Sequence, residues 1–468
     1  MNTPVSPSAP AGTAFGSLPL PPETLGNLAQ LGYTDMTPIQ AASLPLALAG
    51  RDLIAQASTG SGKTVAFGIP LVERLNAALW QAQALVLCPT RELADQVSTE
   101  LRRLARAQGN VKVVTLCGGV ALRGQTLSLA HGTHVVVGTP GRILDHIDRG
   151  TLSLEAVHTL VLDEADRMLD MGFLDDITRV AARCPAERQT LLFSATYPEG
   201  IQALAARFMR TPQTVAVEAQ HSPQRIQQWF YEVGEGERLH TVSRVLDHFR
   251  PESTLAFCNT KQQCRDLVGV LQAQGYSALA LYGDLEQRER DQVLAQFANR
   301  SCSVLVATDV AARGIDIDAL ACVVNVDVSN DPEVHVHRIG RTGRAGAEGL
   351  ALTLASLDEM GQVGRIEQYQ GRESPWQPLS ALVPAGGPPL MPPMVTLQIA
   401  GGRKDKIRPG DVMGALAAEA GLERGQVGKI HINDFSTYVA VDRAVAATAE
   451  ARLGAGRIKG KKFKVRRL

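Results

Sequence analysis

The chain has 468 residues, 45% hydrophobic and 20% charged, with 47 Lys+Arg against 47 Asp+Glu. That composition suits a soluble protein of about two to four globular domains. It lacks any run of eighteen apolar residues, so a membrane span is not expected. Residues 1–22 are Pro-rich and the first basic residue is Arg51, so the charged and apolar regions of a signal peptide are both missing. The seven cysteines are scattered and form no CxxC pair, which argues against a disulfide framework or zinc site and for reduced thiols in the cytoplasm. The neutral total hides an asymmetry. Residues 394–468 carry fifteen Lys and Arg against seven Asp and Glu, an excess of eight positive charges, and the remainder has the opposite excess. A basic tail on an acidic body points to a polyanion partner.

Along the chain, apolar β-rich runs recur at 52–57, 84–88, 111–116, 134–137, 159–162 and 190–193, with helical patterns such as 64–76 and 92–107 between them. Strands of continuous apolar character alternating with helices predict a parallel sheet covered on both faces. The first unit is expected to span 1–219. A polar segment with Pro223, at 219–224, reads as a hinge. The pattern restarts at 253–258, 277–281, 303–307, 321–326 and 350–354, giving a second α/β unit over 220–372. Pro- and Gly-rich 373–393 reads as a semi-extended linker. The last segment, 394–468, reads strand, helix, strand, strand, helix, strand: a split βαβ, α+β domain of the RRM-like type. That topology is shared by many unrelated domains.

Two motifs carry phosphate chemistry. Ala57-Ser58-Thr59-Gly60-Ser61-Gly62-Lys63-Thr64 lies between an apolar strand and a helix and matches a P-loop apart from Ala57 at the first Gly position. Its glycines let backbone N–H groups curl around phosphate oxygens, the helix N-terminus favours negative charge, Lys63 reaches the β- and γ-phosphates, and Thr64 can hold Mg²⁺. A structural Gly-rich turn is the alternative, but it needs no Lys-Thr in register. Val161-Leu-Asp163-Glu164-Ala-Asp166 ends an apolar strand in carboxylates beside that loop. Asp163 is the candidate Mg²⁺ organiser and Glu164 the candidate that orients or deprotonates the attacking water. A nucleotide's phosphates and Mg²⁺ are thus the expected ligands.

The ordered strings along the chain resemble the DEAD-box RNA helicase family, from Phe15 to about Leu354. Gly32-Tyr33-Thr-Asp-Met-Thr-Pro-Ile-Gln40 resembles its Q motif. Pro89-Thr90-Arg91-Glu-Leu-Ala94, Gly118-Gly119 and Thr139-Pro140-Gly-Arg142 resemble its RNA-contacting motifs, and Ser194-Ala-Thr196 the motif that couples hydrolysis to unwinding. Phe257-Cys-Asn-Thr260, Gln287-Arg-Glu-Arg290, Ala307-Thr308-Asp-Val-Ala-Ala-Arg-Gly-Ile-Asp316 and His337-Arg-Ile-Gly-Arg341-Thr-Gly-Arg344 continue the series. The resemblance implies two RecA-like parallel-sheet lobes in tandem. It implies that Gln40 reads the adenine of ATP with Tyr33 packed near the base, and that Asp316 contacts ribose. Arg341 and Arg344 become arginine fingers, worth about a thousand- to a hundred-thousand-fold in other systems. Gln287, Arg290 and Thr308 join the RNA contacts, and Asp166, Ser194, Thr196 and His337 the coupling set.

Residues 394–468 resemble the RNA-binding domain of the bacterial DbpA subfamily. That implies a hairpin of 23S ribosomal RNA as partner and a role in large-subunit assembly. Leu397-Gln-Ile-Ala400 has no aromatic, and Phe435 and Tyr438 match the usual stacking octamer poorly. Binding through basic loops and edges is expected instead, with Arg403, Lys404, Lys406, Lys461 and Lys462 as candidates. The expected activity is RNA-stimulated ATP hydrolysis driving local duplex opening by a monomer. An ATP-gated RNA clamp without turnover is the competing reading, and a chain holding Lys63, Glu164 and both arginines favours the enzyme.

Overall fold

The computed structural model describes residues 13–57, 60–196, 199–217, 226–234, 236–312, 320–343, 348–418 and 420–468. The expected hinge, 219–224, lies outside them. The chain divides into two compact units, Met1–Gln220 and His221–Leu468.

The first unit is built on seven strands: β1 (Leu53–Gln56), β2 (Ala84–Leu87), β3 (Val113–Leu116), β4 (Val135–Gly138), β5 (Thr159–Leu162), β6 (Gln189–Ser194) and β7 (Gln213–Ala216). Their order is β3-β4-β2-β5-β6-β1-β7, and every neighbouring pair is parallel. Alternation sends Leu53, Ala55, Val86, Val137 and Phe193 to one helix-covered core and Ile54, Leu85, Leu87, Val136 and Leu192 to the other. The strands read as continuous apolar runs because both faces are buried. β7 did not show in the sequence: only Val215 of its four residues is buried.

The second unit repeats the plan with β8 (Ile226–Glu232), β9 (Thr254–Phe257), β10 (Ala278–Leu281), β11 (Val304–Ala307), β12 (Cys322–Asn325), β13 (Gly349–Ala355) and β14 (Trp376–Gln377), in the order β10-β11-β9-β12-β13-β8-β14, again all parallel. The stretch read as a semi-extended linker is bound along this sheet's unit. β14 adds to its edge, Leu382 is buried in its core, and Arg250 donates to Gly386 O (3.0 Å) and Pro388 O (2.9 Å). All seven cysteines are buried and free. No helix among the described residues is long and apolar enough to cross a membrane.

A four-stranded antiparallel sheet closes the chain: β15 (Met394–Ile399), β16 (Val427–Ile432), β17 (Thr437–Asp442) and β18 (Val465–Arg467), ordered β16-β17-β15-β18. Leu397, Ile399, Val439 and Val441 form one face, packed with residues such as Val412, Leu416, Ala449 and Leu453 of the two helices. The opposite face carries Thr396, Gln398, Tyr438 and Ala440, and these too are buried. The helix Gln287–Ala298 packs against β15 and β17. At its end Asn299 Nδ2 donates to Thr396 Oγ1 (3.1 Å), Ser301 Oγ lies 2.6 Å from the same hydroxyl, and Met394 N–H donates to Arg300 O (3.3 Å). Both faces of the two central strands, β15 and β17, are therefore occupied.

A buried hydroxyl with two side-chain partners costs about 1–3 kcal/mol to remove when the partners stay behind. Thr396→Val is expected to lower the stability of the second unit by that amount and to speed amide exchange in β15 and β17. Unchanged exchange would show that this contact does not hold the small sheet in place.

Candidate functional site

A parallel sheet places the loops leaving its strands on one edge, the usual site of ligand binding in α/β folds. In the first unit that edge divides in two. The loops after β1, β5 and β6 bring 60–64, Asp163–Glu164 and Ser194–Thr196 together at adjoining strands. The loops after β2, β3 and β4 bring Pro89–Arg91, Gly118–Gly119 and Thr139–Arg142 to the other half of the same edge.

The phosphate loop leaves β1 and enters the helix Lys63–Glu73. Gly60 (φ 82°) and Gly62 (φ 93°) adopt the left-handed backbone that favours glycine. Ser58 and Thr59 lie outside the described residues. Lys63 is buried and its Nζ donates to Ala57 O (3.1 Å). Thr64 is the second residue of the helix. Gln40 is also buried, accepting from Thr37 N–H (2.9 Å) and donating to Gly62 O (3.1 Å). A Cβ on Gly62 would lie 2.4 Å from Gln40 Nε2, so any other residue would displace that amide as well as strain the left-handed backbone. An amide has two donors and two acceptor lone pairs, and these bonds use half of that capacity. Tyr33 packs beside Phe15 (6.4 Å between centroids) and donates its hydroxyl to Glu100 (2.7 Å); burial, with Glu100 adding, pushes that hydroxyl up to about 12.

Asp163 directly follows β5 with 3% exposure, and its Oδ1 has no hydrogen-bond partner. Burial pushes its carboxyl up to about 7; Lys63 pulls it back, while Glu164 and Asp166 add to the rise. A buried, unpartnered carboxylate oxygen next to a phosphate loop is a site that a hard divalent cation fits, with the Thr64 hydroxyl as the other protein ligand. Glu164 stands in the left-handed region (φ 51°) and is ion-paired with Arg167. A non-glycine residue held there stores strain, a feature of functional turns.

Asp166 links the carboxylate motif to the Ser194–Thr196 loop. Its Oδ2 accepts from Ala195 N–H (3.0 Å), Thr196 N–H (3.0 Å) and Thr196 Oγ1 (3.1 Å), and its Oδ1 from Arg167 N–H (3.0 Å). Ser194 Oγ is buried without a partner. On the other half of the edge, Thr90 caps the helix Arg91–Leu104 and Arg91 faces Asp95 at 3.8 Å. Thr139 and Pro140 open the helix Pro140–Asp148. Arg142 donates to Val120 O (2.9 Å) and Gln125 Oε1 (3.1 Å), fastening the loop that contains Gly119 (φ 73°).

The second unit brings its own motifs to one edge, after β9, β10 and β11. Gln287 opens the helix Gln287–Ala298 and donates to Asp291 Oδ1 (2.8 Å); Arg290 donates to Ala311 O (2.9 Å), close behind Thr308. Arg341 follows the helix Pro332–Ile339, which carries an exposed His337. Asp316 and Arg344 lie outside the described residues.

Arg338 was not singled out from the sequence, yet three motifs meet on it. It is 2% exposed, grips both oxygens of Asp309 at 2.7 Å, and donates to Asp327 O (2.7 Å) and Asn259 Oδ1 (3.0 Å). Its guanidinium also lies 5.2 Å from the Phe257 ring centroid. The string 337–344 reads as phosphate- and RNA-facing arginines, so nothing in it announces one turned inward. In the C-terminal domain Arg403, Lys404, Lys406, Lys461 and Lys462 are all exposed, and Lys461 faces Asp405 at 3.7 Å.

Comparisons with known proteins agree with this geometry. The DEAD/DEAH box helicase model matches residues 37–204, the helicase conserved C-terminal domain model 237–346 and the DbpA RNA binding domain model 396–467. The chain is 51% identical over 459 residues to the ATP-dependent RNA helicase DbpA of Escherichia coli, covering 97% of this chain and 100% of that protein. It is 48% identical over 362 residues to the DEAD-box ATP-dependent RNA helicase CshA of Geobacillus kaustophilus, covering 77% of each. Among solved structures, S. cerevisiae Dbp5 bound to RNA and ADP BeF3 is 31% identical with a TM-score of 0.71, over 78% of this chain and 96% of that one.

Two outcomes follow for the second unit. Arg338→Ala leaves the partly buried Asp309 carboxylate and the Asp327 carbonyl without their donor and is expected to cost about 1.5–3 kcal/mol, read as a lower urea midpoint. Arg338→Lys is expected not to restore it, because an ammonium cannot grip both carboxylate oxygens. His335 stacks near Phe230 (6.0 Å), neither ring nitrogen has a partner, and burial, aided by the charges of Arg338 and Arg372, brings it down to about 4. A lowered folded value means the stability from keeping it neutral is complete above the ordinary 6.5 and is lost as pH falls toward 4. His335→Phe is expected to shrink the drop in urea midpoint across that window; an unchanged drop assigns the acid sensitivity elsewhere.

Proposed function

The chain belongs to the DEAD-box ATP-dependent RNA helicases, and on that premise we propose that it opens short duplexes in 23S ribosomal RNA during assembly of the large ribosomal subunit. It acts as a monomer in the cytoplasm, with lobes at 1–219 and 220–372, a connecting stretch at 373–393 and an RNA-addressing domain at 394–468. The observation that carries the reading is the shared edge of the first sheet. Phosphate motifs and RNA motifs occupy adjoining halves of it, and the Asp166 carboxylate ties the carboxylate motif to Thr196.

Gln40 recognises adenine with the half of its amide that Thr37 and Gly62 leave over. Tyr33 and Phe15 back the base. Lys63 exchanges the Ala57 carbonyl for β- and γ-phosphate oxygens, and the N–H groups of 58–64 complete the cradle. Mg²⁺ held through Thr64 and Asp163 supplies charge neutralisation at the phosphates when bound. Glu164 orients the attacking water, its carboxylate fixed by Arg167. Arg341 and Arg344 stabilise the charge that develops on the γ-phosphoryl oxygens. They belong to the second unit and Lys63 to the first, so hydrolysis needs the units to come together. RNA that touches motifs of both favours that arrangement, which makes turnover RNA-dependent. Asp316 binds the ribose, and Ser194, Thr196 and His337 relay the change.

The RNA motifs of the core are Thr, Arg, Gly and Pro, suited to phosphate and 2′-hydroxyl contacts that carry no base sequence. The address therefore falls to 394–468, and its positive charge and likeness to the DbpA-type domain support a ribosomal RNA hairpin as the target.

The test is ATPase rate against 23S ribosomal RNA and a length-matched unrelated RNA. Full-length wild type is expected to respond at much lower concentrations of the ribosomal RNA. Lys63→Ala is expected to abolish turnover and keep RNA binding. The double variant Arg403→Glu, Lys404→Glu is expected to keep the maximal rate and lose the preference. Equal response of wild type to both RNAs would discard the ribosomal target.

A further inference from the structure

Residues 394–468 contain three Phe or Tyr residues and no Trp: Phe435, Tyr438 and Phe463. Tyr438 is 1% exposed, on the sheet face that packs against the helix Gln287–Ala298. Phe463 is half-buried against the core, its ring filling the space a side chain on Gly401 would need (2.3 Å). Phe435 is 74% exposed, the most exposed large apolar side chain among the described residues.

The turn that displays Phe435 is held from several sides. Asn433 N–H donates to Ser436 O (2.8 Å), closing it, while Arg403 N–H donates to Asn433 O (2.9 Å) and Lys404 N–H to Asp434 O (3.0 Å). A side chain on Gly402 would meet Asn433 O at 2.2 Å, so the two loops are in backbone contact. Asn433 Nδ2 then donates to Asp291 Oδ2 (3.1 Å), the carboxylate whose other oxygen receives Gln287. The turn that carries the ring is thus fixed beside the loop of the exposed cations Arg403 and Lys404 and one carboxylate away from the Gln287/Arg290 motif. Nothing in the packing explains a phenylalanine there.

We propose that Phe435 is a stacking platform for an unpaired RNA base. The nucleotide lies where the strand passes between the basic domain and the Gln287/Arg290 motif, with Arg403 and Lys404 on the flanking phosphates. The idea rests on the RNA-binding reading above. It specifies an unpaired base, because bases within an A-form duplex are already stacked and present no free face. It also accounts for RNA binding by an RRM-like domain whose central strands are covered: the stacking surface is displaced to a loop at the junction with the helicase lobe.

The experiment uses the full chain with a hairpin RNA bearing a single-stranded extension, labelled at successive positions with a fluorescent adenine analogue, and with the same hairpin lacking the extension. Wild type is expected to bind the extended RNA more tightly and to quench one or two positions. Phe435→Ala is expected to lose that quenching and about five- to a hundred-fold in affinity for the extended RNA only, while Phe435→Trp keeps both. Ala binding the extended RNA within about twofold of wild type, or weakening both RNAs equally, overturns the proposal and leaves the RNA-binding reading intact. Failure of wild type to bind either RNA removes that reading itself.

Discussion

Everything functional in this chain depends on strand direction. Seven parallel strands leave every departing loop on one edge, and the chain does this twice. In the first unit, the order β3-β4-β2-β5-β6-β1-β7 also sorts the loops. Those with carboxylates, glycines and Lys63 follow β5, β6 and β1, while those with Thr90, Gly119 and Arg142 follow β2, β3 and β4. Reversing one central strand would move its motif to the far edge, more than a strand's length away. The continuous apolar strands are the physical precondition, since such a sheet is stable only with both faces covered.

On each edge, single polar side chains join motifs that are far apart in sequence. Asp166 accepts from two backbone N–H groups and a hydroxyl near Thr196, thirty residues on. Arg338 joins Asp309, Asn259 and Asp327 from inside the second unit. Such buried, hydrogen-bonded charges add specificity of arrangement, because any other packing leaves them unpaired. A change at one motif is therefore felt at the next through a bond and not merely through bulk packing.

The motif strings were legible because their residue types suit little else at strand ends. Gly60 and Gly62 before Lys63-Thr64, and Asp163-Glu164 after an apolar run, announce phosphate chemistry. Most strands were legible too, through continuous apolar runs. The edges were not. β14 has two residues and β7 buries only Val215, so neither leaves a run to see. Polar-rich β8 alternates Ile226, Gln227, Gln228 and Trp229, hiding its place beside β13. The linker's proline content suggested a semi-extended spacer, whereas its carbonyls are bound by Arg244 and Arg250, long-range partners that local composition cannot reveal. Burial of Thr396 and Gln398 was invisible for the same reason: a polar residue alternating with core positions reads as solvent-facing.

The bound linker and covered sheet face change how reach should be counted. A domain on a flexible tether explores a volume, and its partner feels an effective concentration that varies with tether length. Here 373–393 is pinned to the lobe and Thr396 is hydrogen-bonded to Asn299, so the distance from the basic domain to the Gln287–Ala298 helix is a constant of the fold. The second lobe and the basic domain form one body, and on the proposed function an RNA held by both spans a distance set by that packing. Lengthening the chain in this stretch would alter a packed surface, and that span would change in steps of domain geometry instead of stretching.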